Sequence, residues 1–309
     1  MNTEDSACRP RVADGSLSWN QQISLRDGRA LGFAEFGDPN GKPIFYFHGF
    51  PGSRLEAQVA TDLASRHKAR VIAVDRPGYG LSDVKPGRSI GDWPADVLEL
   101  ADTLGLERFT VLGVSGGGPY AAACALKIPE RLVSVGIVSG MGPPEALHAP
   151  GTMARLNRLA LFLARHSPAL VGLACAGIAS SIRRRPERFV SRLTRLVSSV
   201  DKEILGRKEF QEALCRSFQE AVRLGSRGPA SDLVLYARPW DFRLQDISMQ
   251  VNLWHGELDM IVPPAMSRFQ QSAIPNCRAT YFRQEGHFSV IMNHMKDIFD
   301  DLTSRPDHS

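Results

Sequence analysis

The stretch FTVLGVSGGGPYAAACA, residues 109–125 of a 309-residue chain, decides the fold. It opens with an apolar run typical of a buried strand and closes with a helical pattern. Between them Gly113, Ser115 and Gly117 form a G-x-S-x-G pentapeptide. At such a strand–turn–helix junction a serine is held in a strained backbone conformation with its hydroxyl exposed. Side chains at 113 and 117 would collide with neighbouring elements, so the pattern predicts a sharp turn presenting Ser115.

On both sides of this stretch, strand-like and helix-like patterns alternate, which predicts an α/β fold with a doubly wound, mostly parallel sheet. Two β-prone runs around Asp27-Gly28 first indicate a hairpin. The predicted strands cover 21–25, 29–37, 43–47, 70–75, 109–114, 131–140, 250–255 and 278–283. The predicted core helices cover 53–68 (with Leu55, Val59 and Leu63 on one side), 93–104, 119–127, 264–273 and a last helix ending near Leu302.

Residues 141–228 interrupt this alternation with helical patterns and no convincing strand. We therefore divide the chain into a first core part (1–140, with 1–18 a loose tail), an all-helical insertion (141–228) and a second core part (229–309). The insertion carries a net charge of +8 and the remainder −4. A solvated outer face explains this best; the arginines could instead attract an acidic partner or an anionic substrate. They are Arg183, Arg184, Arg185, Arg188, Arg192 and Arg195.

Composition excludes several classes of protein. With 43% hydrophobic residues and a net charge of +4, the chain is ordinary globular protein and too weakly basic to predict nucleic-acid binding. Its five cysteines form no CxxC pair, which argues against a disulfide framework or a zinc site. The most apolar stretch, 169–179, is far shorter than the about 20 residues of a membrane-spanning helix. The acidic start does not resemble a signal peptide, so we expect a cytoplasmic protein.

A serine hydroxyl needs a base, and the base needs an acid to fix its tautomer. His287 follows the last predicted strand and is the candidate base. Asp259 follows the strand before it and is the candidate acid, with Glu257 as a rival. An aspartate in such a turn often only closes an Asx-turn, but the order Ser115, Asp259, His287 suits catalysis. The other histidines considered are interpreted as structural or solvent-facing: His67, His148, His166, His255 and His294.

Two backbone N–H groups are candidates for an oxyanion hole. One belongs to Gly116, which follows the serine at a helix N-terminus. The other belongs to Phe50, in the turn after the strand at 43–47, a turn that His48 is expected to hold through hydrogen bonds. A competing dinucleotide fingerprint, Gly116-x-Gly118-x-x-Ala121, ranks well below hydrolysis, because two strands precede it and no acidic residue follows at the required spacing.

These segments together resemble the α/β-hydrolase superfamily. FYFHGFPGS, DRPGYGLSD, GVSGGGPY, LWHGELDMIVP and EGHFS occur in its order, and the resemblance covers 22–305 apart from the insertion, which looks like a helical cap. It implies a serine carboxylesterase-like enzyme that needs no metal or other cofactor. Epoxide hydrolases and haloalkane dehalogenases share a segment like HGFP but use an aspartate where this chain has Ser115. A proline iminopeptidase would want carboxylates in the cap, which here is basic.

We therefore expect a hydrolase of small to medium carboxylic esters, acting on a small molecule and not on nucleic acid. Lactonase, thioesterase, perhydrolase and carbon–carbon hydrolase activities remain open with the same triad. A ligand-binding receptor with little turnover is the alternative from another class. Met141, Met260 and Phe288 adjoin the catalytic segments and are candidates for lining the substrate pocket, although core packing explains each equally well.

Overall fold

Eight strands form a single sheet at the centre of the computed structural model, which describes residues 18–148 and 155–304. The order across the sheet is β1-β2-β4-β3-β5-β6-β7-β8. The pairs β1–β2 and β2–β4 are antiparallel, and every other pair is parallel, which confirms the predicted mostly parallel sheet. The strands are β1 (Gln21–Ser24), β2 (Ala30–Gly37), β3 (Lys42–Phe47), β4 (Ala69–Val74), β5 (Phe109–Val114), β6 (Leu132–Val138), β7 (Val251–Gly256) and β8 (Cys277–Phe282).

Helices cover both faces of this sheet and fill the insertion. Those of the first core part are α1 (Thr61–Arg66), α2 (Trp93–Thr103) and α3 (Gly118–Lys127). Then come α4 (Arg155–His166), α5 (Pro168–Arg184), α6 (Pro186–Leu193), α7 (Ser199–Gly206), α8 (Lys208–Ala221) and α9 (Arg227–Ala237). The second core part adds α10 (Pro264–Ala273) and α11 (His287–Thr303). Because β3, β5, β6, β7 and β8 run parallel, their carboxyl ends meet at one edge of the sheet.

The described residues between β6 and β7 contain helices and no strand, as the sequence predicts. Part of this insertion has an apolar cluster of its own, built on residues such as Ile182 and Leu205. Helix α4 and the first part of α5 pack on α9 and join the main core, whereas the last part of α5, which carries Ile182, belongs to the insertion's own cluster. The arginines singled out in the sequence are exposed, which fits a solvated face. A boundary at 228 stays a prediction; α9 continues across it.

The helix predicted over 53–68 is a 3-10 helix, Arg54–Ala60, followed by the short α1. Its fully buried positions are Arg54 and small alanines, whereas Leu55, Val59 and Leu63 are half-buried, Val59 and Leu63 against an apolar core cluster; the burial of Arg54 was not predicted. The physical reason is the burial of an ion pair that no apolar pattern reveals. The Arg54 guanidinium donates to Asp75 at 2.7 Å and to Glu220 of α8 at 2.8 Å.

No helix among the described residues is both long and apolar enough to span a bilayer. The predicted loose tail falls almost entirely on residues 1–17, which lie outside the described residues, as do 149–154 and 305–309.

Two glycines let β5 turn sharply into α3. A Cβ at Gly117 would lie 2.1 Å from the carbonyl oxygen of Phe47, at the end of the neighbouring β3. A Cβ at Gly113 would lie 2.5 Å from the carbonyl oxygen of Gly117 and 2.9 Å from the Cβ of Ala121. Real side chains do not approach backbone that closely, so the predicted collisions at 113 and 117 are confirmed.

Gly117→Ala should lower the free energy of unfolding by about 1–3 kcal/mol, because β3 or the turn must shift to admit the methyl group. The matched control is Gly177→Ala in α5, an exposed glycine with open space where its Cβ would stand. That variant should gain up to about 1 kcal/mol from better helix propensity. Urea unfolding of both variants checks the pair; equal stability of the two would contradict the close approach at Gly117.

Candidate active site

Ser115 is the first residue after β5 and begins a 3-10 turn that leads into α3. Its φ of 53° lies in the left-handed region, which residues other than glycine rarely adopt. The predicted strained conformation is therefore confirmed. The residue is 7% exposed. Its hydroxyl has no hydrogen-bond partner among the described residues, including His287. Catalytic hydrogen bonds are often formed only once substrate is bound, so this geometry is compatible with a nucleophile.

His287 and Asp259 meet directly. The Nδ1 of His287 lies 2.7 Å from Oδ2 of Asp259, and both side chains are buried. The other Asp259 oxygen, Oδ1, accepts the N–H groups of Ile261 and Val262, each at 2.8 Å. Asp259 therefore closes an Asx-type turn and also faces the histidine. The rival Glu257 points to the surface, where it pairs with Arg268 at 2.9 Å.

The charges around His287 favour its protonated form. Burial by itself lowers the pKa of His287, but the carboxylates of Asp259, Asp201 and Glu56 together raise it above its ordinary value. For Asp259, burial raises the pKa, and the neighbouring His287 and His255 outweigh burial and hold that pKa well below its usual range. Asp259 is thus ionised at neutral pH and is available to stabilise an imidazolium.

His255, at the carboxyl end of β7, supports this pair in a way the sequence does not reveal. It is fully buried, and its Nε2 lies 2.9 Å from the carbonyl oxygen of Val262 and 3.3 Å from Oδ2 of Asp259. Ser267 of α10 holds the opposite ring nitrogen. The predicted structural role of His255 is therefore met, and its particular task is to fix the turn that carries Asp259.

The turn after β3 holds the Phe50 N–H beside the Ser115 turn. A Cβ at Gly116 would lie 3.2 Å from the Phe50 nitrogen, so the two predicted oxyanion donors are neighbours. The carbonyl of Gly49 faces His48 Nδ1, at 2.8 Å, and an arginine, Arg76, at 3.3 Å. Carbonyl and N–H point in opposite directions in a trans peptide, so the Phe50 N–H points away from that arginine. It pairs with no acceptor in the described part of the chain.

Arg76 belongs to a buried ionic cluster behind this turn that sequence reasoning missed. Its guanidinium donates to the carbonyls of His48 and Gly49 and, at 2.9 Å, to the Asp232 carboxylate of α9. The same carboxylate accepts hydrogen bonds from Arg88, Tyr79, Tyr120 and Tyr236. Burial opposes ionisation of Asp232, but the two arginines hold its pKa well below the usual range.

This ionic cluster contacts both the Ser115 turn and the turn after β3. The single hydroxyl proton of Tyr236 is shared between Asp232, at 3.1 Å, and the carbonyl oxygen of Gly116, at 2.8 Å, next to the serine. His48 is neutral, because burial and the nearby Arg76 lower its pKa well below the ordinary value. A neutral His48 with its Nδ1–H on a carbonyl can hold the turn but is not a second base. The sequence signal for this cluster is limited to two arginines, Arg76 and Arg88, near predicted turns. Arginines at such positions are too common to identify a buried cluster.

Glu56 is a further carboxyl group at this site that the sequence does not reveal. Its Oε1 accepts the Tyr46 hydroxyl at 2.7 Å and the Gly49 N–H at 2.9 Å, so it anchors the turn from the side opposite Arg76. A Cβ at Gly49 would lie 3.5 Å from both Glu56 Oε1 and the Cβ of Ser115. Burial raises the pKa of Glu56 despite these hydrogen bonds.

The three predicted pocket residues lie in different surroundings. The Met141 N–H donates to the carbonyl of Ser115 at 3.0 Å, and its side chain is half-buried against the main core. Met260 is 38% exposed. The ring of Phe288 lies edge-on to that of His287, with centroids 5.2 Å apart, and packs against the apolar cluster of the insertion. Their role towards a substrate stays a prediction.

Among the described residues, no group of three or more histidine, cysteine, aspartate or glutamate side chains is placed to hold a metal ion.

Comparisons with known proteins agree with this architecture. Residues 42–166 match a family model described as the alpha/beta hydrolase fold. A curated relative, the bifunctional epoxide hydrolase 2 of Sus scrofa, is 23% identical over 92% of this chain, and this alignment spans 55% of that protein. The chain thus spans about half the length of the first curated relatives it matches.

Two solved structures share the fold across nearly their whole length. The esterase EaEST from Exiguobacterium antarcticum has a TM-score of 0.65 at 17% identity and aligns over 92% of this chain and 98% of that one. The enol-lactonase from Burkholderia xenovorans has a TM-score of 0.66 at 19% identity, with the same coverage. With the eight-stranded sheet and the turn at Ser115, these findings show that the chain has the α/β-hydrolase fold.

Proposed function

We propose that the protein is a serine hydrolase that cleaves carboxylic esters of small to medium acyl groups through an acyl-enzyme intermediate. The observation that carries the proposal is a left-handed Ser115 at the strand-to-helix turn combined with a His287–Asp259 hydrogen bond at the same edge of the sheet. The esterase and enol-lactonase with the same fold support ester bonds as the substrate class.

In this mechanism the Ser115 Oγ attacks the ester carbonyl carbon while its proton passes to Nε2 of His287. Asp259 keeps the Nδ1–H in place and stabilises the imidazolium. The N–H groups of Phe50 and Gly116 hold the oxyanion of the tetrahedral intermediate. The intermediate collapses, and the alcohol leaves with the proton from His287. Water then attacks the acyl-enzyme by the same route, releasing the carboxylic acid and restoring the serine.

Other reactions on the same triad are alternatives to simple ester hydrolysis. A lactonase would open a cyclic ester by the same steps, and a thioesterase, perhydrolase or carbon–carbon hydrolase would differ in leaving group or acceptor. The similarity to an epoxide hydrolase supports none of its chemistry, because the expected nucleophile there is an aspartate and this chain has Ser115. Turnover of p-nitrophenyl esters beside lactones, thioesters and amides distinguishes these activities.

A ligand-binding receptor on the same fold is the candidate from another class. Such a receptor would turn over its ligand slowly or not at all, even though it has the Ser115 hydroxyl and the His287–Asp259 pair. Steady-state hydrolysis of short acyl esters favours the enzyme, whereas tight stoichiometric binding with negligible turnover favours the receptor.

Ser115→Ala should reduce kcat for a p-nitrophenyl ester by on the order of a million-fold, because the nucleophile is lost while the oxyanion donors remain. Ser139→Ala is the matched control: Ser139 follows β6, has a φ of 48° and carries a buried hydroxyl that finds no hydrogen-bond partner within 18–148 and 155–304. That variant should keep most of the activity. An organophosphonate should label wild-type Ser115, located by mass spectrometry; near-normal turnover by Ser115→Ala would rule out this nucleophile.

The acidic limb of the kcat/KM profile should follow a pKa above the ordinary 6.5 of histidine. The base acts only when neutral, so activity is lost as the pH falls through this raised value. Asp259→Asn should move the limb to lower pH, since the largest neighbouring negative charge is gone, and should reduce kcat by about 10⁴-fold. Initial rates across the pH range test both effects, and a profile that stays flat down to about pH 4 would contradict His287 as the base.

A further inference from the structure

The helix that begins with His287 is capped by a carboxylate from the insertion. Asp201 of α7 accepts the N–H of His287 at 2.8 Å through Oδ2. Its Oδ1 accepts the N–H groups of Phe288 and Ser289, at 2.8 and 2.9 Å. The first N–H groups of a helix have no partner within the helix, and here a single side chain more than eighty residues away binds three of them.

The carboxylate of Asp201 is held in place by its own neighbours. The hydroxyl of Ser198 donates to Oδ2 of Asp201 at 3.0 Å, and Asp201 is fully buried. Gly286 makes room for the contact, because a Cβ there would lie 2.2 Å from Oδ2 of Asp201 and 2.4 Å from the Ser198 hydroxyl. The joint between α7 and α11 is thus built around one glycine, one serine and one carboxylate.

The carboxylate of Asp201 also affects the pKa of His287. The N-terminus of a helix carries a partial positive charge, which disfavours an imidazolium at its first residue. A carboxylate bound to the same N–H groups offsets that charge. Burial lowers the pKa of His287, and the carboxylates of Asp259 after β7, Asp201 from α7 and Glu56 from the 3-10 helix each act to raise it.

We propose that Asp201 is a positioning residue for His287: from the helical insertion it fixes the start of the histidine-bearing helix and stabilises the imidazolium that forms during turnover. The hold on the backbone at His287 follows from the contacts alone, whereas the part in turnover rests on the serine hydrolase proposed above. The insertion then completes the active site instead of only covering it, because the core by itself leaves the first turn of α11 without its acceptor.

The alternative is a purely structural joint between the insertion and the core. Such a joint lowers stability when it is broken but leaves the proton affinity of a folded His287 unchanged. Asp201→Asn separates the two, because an asparagine of the same size retains one acceptor oxygen and loses the charge. The matched control is Glu203→Gln, which removes a carboxylate from the exposed side of the same helix.

The test is to titrate His287 by NMR in protein with labelled histidine, its signal assigned by its loss in His287→Gln. Asp201→Asn should lower the pKa of His287 by about one unit, as expected for a buried charge at a helix N-terminus. Asp201→Glu should recover part of the shift, and Glu203→Gln should leave it unchanged. A pKa in Asp201→Asn equal to that of the control would overturn the inference.

Kinetics on the same variants tests the part played in turnover. For an ester substrate, Asp201→Asn should lower kcat by about 10²-fold with little change in KM, and its acidic limb should move to lower pH, as misplacing a catalytic group does. If no variant or wild type turns over any ester, the proposed function fails, while the NMR titration still decides whether Asp201 controls His287. A shift in the NMR titration with unchanged kcat would refute the role in turnover alone.

Should Asp201→Asn fail to fold, hydrogen exchange in the wild type tests the contacts on which the inference rests, and titration of Asp201→Glu tests the effect on His287. The amide protons of His287, Phe288 and Ser289 should be protected from hydrogen exchange, because each is bound to a buried carboxylate. First-turn amides of an uncapped helix exchange freely. Free exchange at these three positions in the intact protein would overturn the inference.

Discussion

The whole site depends on the parallel strands ending at one edge of the sheet. Ser115 follows β5, Asp259 follows β7 and His287 follows β8, so groups up to 172 positions apart are delivered to one place by topology alone. The turn at Ser115 is where this arrangement stores strain, in a left-handed serine between glycines that admit no side chain. The packing of β3 against β5 makes that conformation persist, since Gly117 lies directly against the end of β3.

Buried charges then set the details that topology leaves open. Arg76 binds the two carbonyls of the turn after β3 and Glu56 binds the N–H between them, so the two consecutive peptides that lead to Phe50 are fixed. Burying ions costs several kcal/mol each unless their hydrogen bonds are satisfied. Here Asp232 is surrounded by two arginines and three tyrosine hydroxyls, which meets that condition. Such a network fixes donor directions more firmly than apolar packing, because each bond has a required angle.

The insertion has two different relations to the core. Through α4, α5 and α9 it joins the main apolar cluster, as an ordinary packed layer would. Through Asp201 it supplies one buried carboxylate to the first turn of α11, where that charge acts on His287. The second relation makes the seating of α7 a condition for the histidine geometry. A movement of the insertion that separated α7 from α11 would therefore change the surroundings of His287 without involving the sheet.

The sequence by itself determined the sheet class, most strand and helix positions, the turn at Ser115 and the choice of Asp259 over Glu257. These are local matters: apolar runs, turn glycines and residues placed directly after strands carry their own physical signal. It did not predict that 54–60 form a 3-10 helix or that Arg54 is buried there in an ion pair. Only the tertiary structure decided the roles of Arg76, Asp232, Glu56, His255 and Asp201. A buried charged side chain is defined by partners distant in the chain, and the residue type alone predicts a solvated one.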